Sequence, residues 1–352
     1  MSLLWIDGFD SYGYTTGSAP APAGILGKYY TVYEPEATYF DIEEGRVSGY
    51  ALELSFQSVV HFRTRHLGNS STYSIIVGFG YKIVGAVDTV VQTIVSACDQ
   101  NGAENCHLKL EPDATLAIYR GTTQLAKSTV PFTPTDWNYI EWRVEIADSA
   151  TSSVRINGTE VLSATGIDTK SSTAATRVEQ LGFYNYDGSS GMTHLDDLYV
   201  LNMDSTGASD FLGPCIVETI RPSGDAGTNN WTPNSGAVHY DRVNNLLLDN
   251  DTTYLSTDTA DAYDMWNYQD ITSTPSTIYG LAVKTEARED QGGSTQIASV
   301  IDSNGTIEDG DSETISIAGY LPIVQVSEID PDTTTAWTAS SVIAAKFGIK
   351  KI

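Results

Sequence analysis

Three cysteines in 352 residues are too few for a disulfide framework, and 19 basic side chains against 45 acidic ones leave a formal net charge of −26. The first shortage makes free thiols in a reducing compartment the expectation. The second argues against a nucleic-acid partner, because binding to a phosphate backbone is driven by Lys and Arg displacing condensed counterions. The densest basic group, Arg63, Arg65 and His66, is too small to reverse that field. No stretch approaches the roughly 20 apolar residues of a membrane span. Residues 1–10 carry no basic residue ahead of their short apolar run, so neither membrane insertion nor a signal peptide is expected. Helical periodicity is scarce as well. No segment repeats at a period of about 20–50 residues, which disfavours solenoids, propellers and a repetitive fibre shaft.

What the chain does have is period-2 alternation. In residues 139–146, Ile140, Trp142, Val144 and Ile146 point one way while Tyr139, Glu141, Arg143 and Glu145 point the other, the pattern of a half-buried strand. Similar runs occupy 51–56, 73–79, 107–110, 115–120, 180–184 and 194–201. Asn157-Gly158, between two short alternating runs, predicts a type I′ hairpin. Many short strands without helical partners predict an all-β chain of two β-sandwich domains. The first is a jelly roll over 1–210 and the second a smaller sandwich over 211–352, with a connector at 203–213. Near the end, Thr338 is placed to cap a short docking helix whose face holds Ala339, Val342, Ile343 and Phe347 ahead of Gly348.

Candidate chemistry is sparse. Glu141 and Glu145 share one strand face with their Cα atoms about 13 Å apart, wider than a glycosidase pair, and read as a solvated face. Glu328-Ile329-Asp330-Pro331-Asp332 resembles a glucanase strand motif, but Pro331 ends the strand where the second glutamate would be needed. No nucleophile elbow, phosphate loop, zinc helix or dinucleotide fingerprint is present, and the five histidines are scattered. Cys98, Cys106 and His107 lack a fourth zinc ligand. These absences predict a protein that is not an enzyme and holds no resident cofactor. The residues from Asp302 through Asn304 and Asp309 to Asp311 are weak calcium candidates that read mainly as an acidic hairpin turn. The aromatic excess is the remaining lead. Tyr184, Tyr186, Trp231, Tyr263, Trp266 and Tyr268 lie in or beside turn-rich segments and are candidates for glycan or interface contacts. The apolar Leu4, Trp5, Trp337 and Phe347 are candidates for assembly, either within their own sandwich or against a neighbour.

The opening Leu3-Leu4-Trp5-Ile6-Asp7-Gly8-Phe9-Asp10 resembles the start of a family of tailed-bacteriophage virion proteins. The resemblance continues at Asp136-Trp137-Asn138-Tyr139-Ile140-Glu141-Trp142 and His194-Leu195-Asp196-Asp197-Leu198-Tyr199, stretches similar to concanavalin A-like jelly rolls of phage proteins. It reaches the second half at Asp210-Phe211-Leu212-Gly213, Trp231-Thr232-Pro233 and Pro331-Asp332-Thr333. The family implies a non-enzymatic virion structural protein, tail-associated or decorating the capsid, acting through contacts with other virion proteins and made in the host cytoplasm. A homo-oligomer, with a trimer favoured, is the expected assembly. The alternative is a carbohydrate-binding adhesin that contacts host surface glycans.

Overall fold

The computed structural model describes residues 3–12, 31–32, 40–54, 61–64, 67, 73–85, 87, 90–99, 101–172, 175, 177–185, 191–204, 210–245, 249–317 and 319–352. Strands take 52% of the described residues and helices 4%, so the all-β sandwich class holds. Two compact units divide it, Met1–Val217 and Glu218–Ile352.

The first unit is a sandwich of two antiparallel sheets. One has eight strands in the order Thr159–Ile167, Ala150–Ile156, Asn138–Glu145, Ser74–Val84, Met192–Asn202, Tyr50–Leu54 and Phe40–Glu44, with Leu3–Asp7 also paired to Met192–Asn202. The other has seven, in the order Thr123–Lys127, Leu116–Arg120, Glu104–Leu110, Gln92–Cys98, Gln180–Tyr184, His61–Arg63 and Thr31–Val32. Their inner faces meet through aromatic rings. Phe62 stacks on Phe183 at 5.2 Å, and Phe79 from the opposite sheet meets Phe183 edge-on at 5.3 Å. Each such buried ring contributes about 1.5–3 kcal/mol. The Asn157-Gly158 hairpin forms with both residues left-handed, at φ 51° and 80°, as a type I′ turn requires.

Alternation does not separate buried from exposed in the middle of the eight-stranded sheet. In Asn138–Glu145 the outward Tyr139 and Glu141 are as buried as the inward Ile140 and Trp142. The cover comes from residues 210–217. Gly213 N–H donates to Glu141 at 2.8 Å, Val217 N–H donates to Asp197 at 2.8 Å, and the Arg46 guanidinium donates to the Cys215 carbonyl. Glu141 is therefore not on a solvated face, correcting the sequence reading.

The second unit is built on a six-stranded sheet in the order Pro222–Asn229, Tyr263–Tyr268, Lys346–Lys351, Thr295–Ser303 and Thr306–Asp309, with Glu313–Ile315 also paired to Thr295–Ser303. A two-stranded ladder of Leu281–Ala287 and Leu321–Ser327 packs against it. The Thr338 cap is real: its side chain accepts from Ser341 N–H and the reciprocal half of the capping box is formed. The helix, Ala339–Ala344, is shorter than expected. Phe347 and Gly348 lie on the following strand, and Ile343 faces solvent while Val342 is buried. What looked like one apolar helix face is a single turn of helix running into a buried strand. No helix among the described residues is long and apolar enough to cross a membrane.

Candidate functional site

The outer face of the seven-stranded sheet gathers polar side chains from five strands. Arg63 pairs with Gly182, Gly182 with Ser96, Ser96 with His107, and His107 with Tyr119, so these residues form one lateral row. At about 4.8 Å per strand the row spans about 19 Å. Local pattern explains the facing. In Gln180–Tyr184 the inward Leu181 and Phe183 enter the core, which leaves Gln180, Gly182 and Tyr184 outward. Gly182 is required there, since a Cβ would stand 2.7 Å from Ser96 Oγ.

These outward groups are not solvated. Gln180 and Ser96 are fully buried, and His107 and Tyr184 nearly so. The turn after the Gln92–Cys98 strand crosses them, bringing Gly102 so close that a Cβ would meet the Arg63 guanidinium at 2.4 Å. Tyr184 donates its hydroxyl to Glu104 and lies 3.2 Å from Ser96 Oγ. Glu104 also approaches Arg63 Nη2 at 3.6 Å and His107 Nδ1 at 4.0 Å. Both amide atoms of Gln180 lack a hydrogen-bond partner among the described residues.

Burial sets the protonation states. It pushes the His107 pKa down, against a smaller upward pull from Glu104, so the imidazole is neutral at neutral pH. It pushes Tyr184 up, with Glu104 adding to the rise, so the phenol keeps its proton. Cys98 beside Ser96 is raised to about 11 by burial, a thiol and not a thiolate. The face thus offers a neutral base and a guanidinium in the row, with a protonated acid and an amide unpartnered among the described residues flanking it on Gln180–Tyr184.

A second polar group lies on the outer face of the eight-stranded sheet. Glu53 meets His194 Nε2 at 2.6 Å, and oxygens of Asp41, Glu43 and Glu53 fall within 4.8 Å of one another, a set that could hold a cation. Burial, with Glu53 adding repulsion, raises Asp41 and Glu43. Farther along this face Arg46 pairs with Asp197 at 2.7 Å beneath residues 210–217.

No protein-family model matches the sequence, and no curated protein matches it. Among solved structures the chain is similar to alginate lyase Aly36B, at 11% identity and a TM-score of 0.43, over 57% of this chain and 97% of that one. It is similar to an endo-β-1,4-glucuronan lyase from the fungus Trichoderma reesei, at 11% identity and a TM-score of 0.38, over 51% and 92%. It is also similar to the cellulose-induced protein Cip1, at 13% identity and a TM-score of 0.39, over 56% and 97%. These are likenesses of fold. They stand against the expected non-enzymatic virion structural protein acting through protein–protein contacts, because two of these three are lyases of polysaccharides. That expectation is corrected, and with it the expectation that the chain is not an enzyme.

The sequence candidates fare unevenly. Tyr184 lies on the same face beside the row, whereas Tyr186, Arg65 and His66 lie outside the described residues. Trp266 is buried in the second unit's core, where Trp231 and Tyr268 pack beside it. Trp231 donates its indole N–H to the Ala262 carbonyl at 3.1 Å, and Tyr268 meets Phe347 edge-on at 5.2 Å. Tyr263 sits half-buried on the strand next to Lys346–Lys351. These rings fill or roof a core and form no exposed platform. Trp337 and Phe347 are buried in their own unit, and Leu4 and Trp5 pack half-buried against the first core. At the calcium candidates, Asn304 and Gly305 make a left-handed hairpin turn, Lys346 pairs with Asp302 at 2.9 Å and Lys350 with Asp309 at 2.5 Å. Asn304 donates to Asp332, and Asp311 is exposed beyond the hairpin. Sequence reasoning passed over Glu104 and Gln180, and weighed Arg63 only as part of a basic cluster and His107 only as a zinc ligand.

Proposed function

We propose that the first unit binds a uronate-bearing polysaccharide along the outer face of its seven-stranded sheet and cleaves it by β-elimination. The observation that carries this reading is Gln180, fully buried beside Arg63 with neither amide atom partnered among the described residues. Leaving such an amide unsatisfied costs about 1–3 kcal/mol per group, a cost that a bound uronate removes when its carboxylate accepts from Nε2 and a sugar hydroxyl donates to Oε1. Arg63 and Gln180 hold the sugar carboxylate and stabilise the charge that develops when the adjacent carbon loses its proton. Neutral His107 takes that C5 proton. The electron pair forms the C4–C5 double bond as the C4–O bond breaks, and Tyr184 gives its proton to the leaving oxygen. The proton held by His107 then returns to Tyr184 through solvent. On a phage particle, the setting suggested by the sequence resemblance, the substrate would be a host surface glycan.

The test is incubation of the purified protein with alginate, polygalacturonate, glucuronan and hyaluronan, following the ultraviolet absorbance of the unsaturated product. His107→Ala and Tyr184→Phe are each expected to lose about 100-fold or more in rate. No product from any polyuronate, together with no binding to them, would sink the reading.

A further inference from the structure

We propose that Glu104 is an internal stand-in for the substrate carboxylate, seated on Arg63, Tyr184 and His107 until a uronate enters and displaces it. The inference rests on the reading of this face given above and adds a specificity-determining residue to it. Two strands far apart in sequence and Glu104's own strand bring polar groups to this one carboxylate: the Tyr184 hydroxyl bonds it, Arg63 approaches at 3.6 Å and His107, three residues on, at 4.0 Å. A guanidinium, a phenol and an imidazole converging on one carboxylate form an anion pocket irrespective of which carboxylate fills it.

Two features mark Glu104 as an occupant and not a fixed wall. Its side chain is 33% exposed, while those of Arg63 and His107 are at 12% and 9%, so it can turn toward solvent without dragging its partners. It also opens its strand directly after Ala103, whose carbonyl accepts from Asp99 N–H, where the pairing shifts register between Ala97 and Cys98, and a bulge of that kind gives its side chain room to re-aim. Glu104 fills the pocket incompletely. The amide of Gln180 stays unpartnered among the described residues beside Arg63, which leaves hydrogen-bonding capacity for a ligand carrying more oxygens than one side-chain carboxylate supplies. Two carboxylates cannot share the corner, since like charges at such separations repel strongly in a site shielded from water. Glu104 therefore sets a threshold that an incoming anion must overcome and that a neutral sugar does not meet.

Calorimetric titration of wild type and Glu104→Gln tests this, with a tetra-uronate and with a neutral tetrasaccharide of the same linkage as probes. Gln keeps the side chain's shape and its acceptor for Tyr184 while removing the charge. Tighter tetra-uronate binding by tenfold or more in Glu104→Gln, with less than a twofold change for the neutral probe, is the expected result. Equal or weaker tetra-uronate binding in the variant, with wild type binding normally, overturns the stand-in and leaves the polyuronate reading intact. Failure of both proteins to bind any uronate overturns both. Glu104→Asp, which keeps the charge but withdraws it by one methylene, serves should Glu104→Gln not fold. It is expected to show a smaller gain of the same sign, and loss of affinity in it counts against the inference.

Discussion

Tyr199 donates its hydroxyl to Glu141 at 2.5 Å, and its ring lies flat over Gly78 on the neighbouring strand, where a Cβ would come within 2.2 Å of it. Glu141 and Tyr199 are both buried, and the same carboxylate oxygen takes the Gly213 amide. Gly78→Ala is expected to cost about 1–3 kcal/mol by overpacking, and Tyr199→Phe about the same by removing a donor from a buried carboxylate. Urea denaturation measures both, and a loss under about 0.5 kcal/mol in either would show that the contact holds little. The two effects should not add, because the residues share one contact.

The acid limb of activity should lie below the ordinary His value of 6.5, since burial lowers His107 and the neutral base survives to lower pH. Tyr184 is raised, so no alkaline limb from that phenol is expected below pH 10. The result is a broad plateau in the pH–rate profile. Glu104 is what pulls His107 upward, so Glu104→Gln should shift the acid limb further down. An acid limb above pH 7 would exclude His107 as the base.

Salt should speed polyuronate binding at first. A chain of net charge −26 repels a polyanion at long range. Raising ionic strength from about 10 to 150 mM shortens the screening length from about 30 to 8 Å, too short for the bulk charge to act but long enough for Arg63 to. Stopped-flow association rates should therefore rise over this interval. A monotonic fall from the lowest salt would mean that the local field at the row is positive.

In the second unit, Asp264 meets His239 Nδ1 at 2.6 Å, and burial raises its pKa from 3.8 to about 6. The folded value lies above the unfolded one, so the contribution to stability is present below pH 4 and is lost as pH rises through 6. The span corresponds to about 3 kcal/mol. Asp264→Asn should flatten this slope in thermal melts taken between pH 4 and 7, and an unchanged slope would assign it to another group.

Strand positions and the Asn157-Gly158 hairpin were legible because alternation and turn chemistry are local. The row was not, because Arg63, His107 and Gln180 become neighbours only through the register of Glu104–Leu110, Gln92–Cys98, Gln180–Tyr184 and His61–Arg63. One local signal was available. Gln180-Leu181-Gly182-Phe183-Tyr184 sets an amide, a glycine and a phenol on the face that an ordinary exposed strand fills with charged or hydroxylated residues. Glu141 misled for a related reason: alternation tells which face a residue takes, and only tertiary structure tells that residues 210–217 cover that face.

Lys346–Lys351 lies between Tyr263–Tyr268 and Thr295–Ser303, and Gly348 passes so near the backbone of Asp264 that a Cβ would sit 2.0 Å from its carbonyl oxygen. The ribosome delivers this middle strand after both flanking strands. Until it emerges they face each other across a vacant slot, each with an open hydrogen-bonding edge. A nascent chain in that state is open to invasion by the same strand from a second copy, whose Gly348 would fit the slot as well as its own does. Slow translation or crowded synthesis should therefore yield strand-exchanged dimers from a sequence whose finished fold has no edge there.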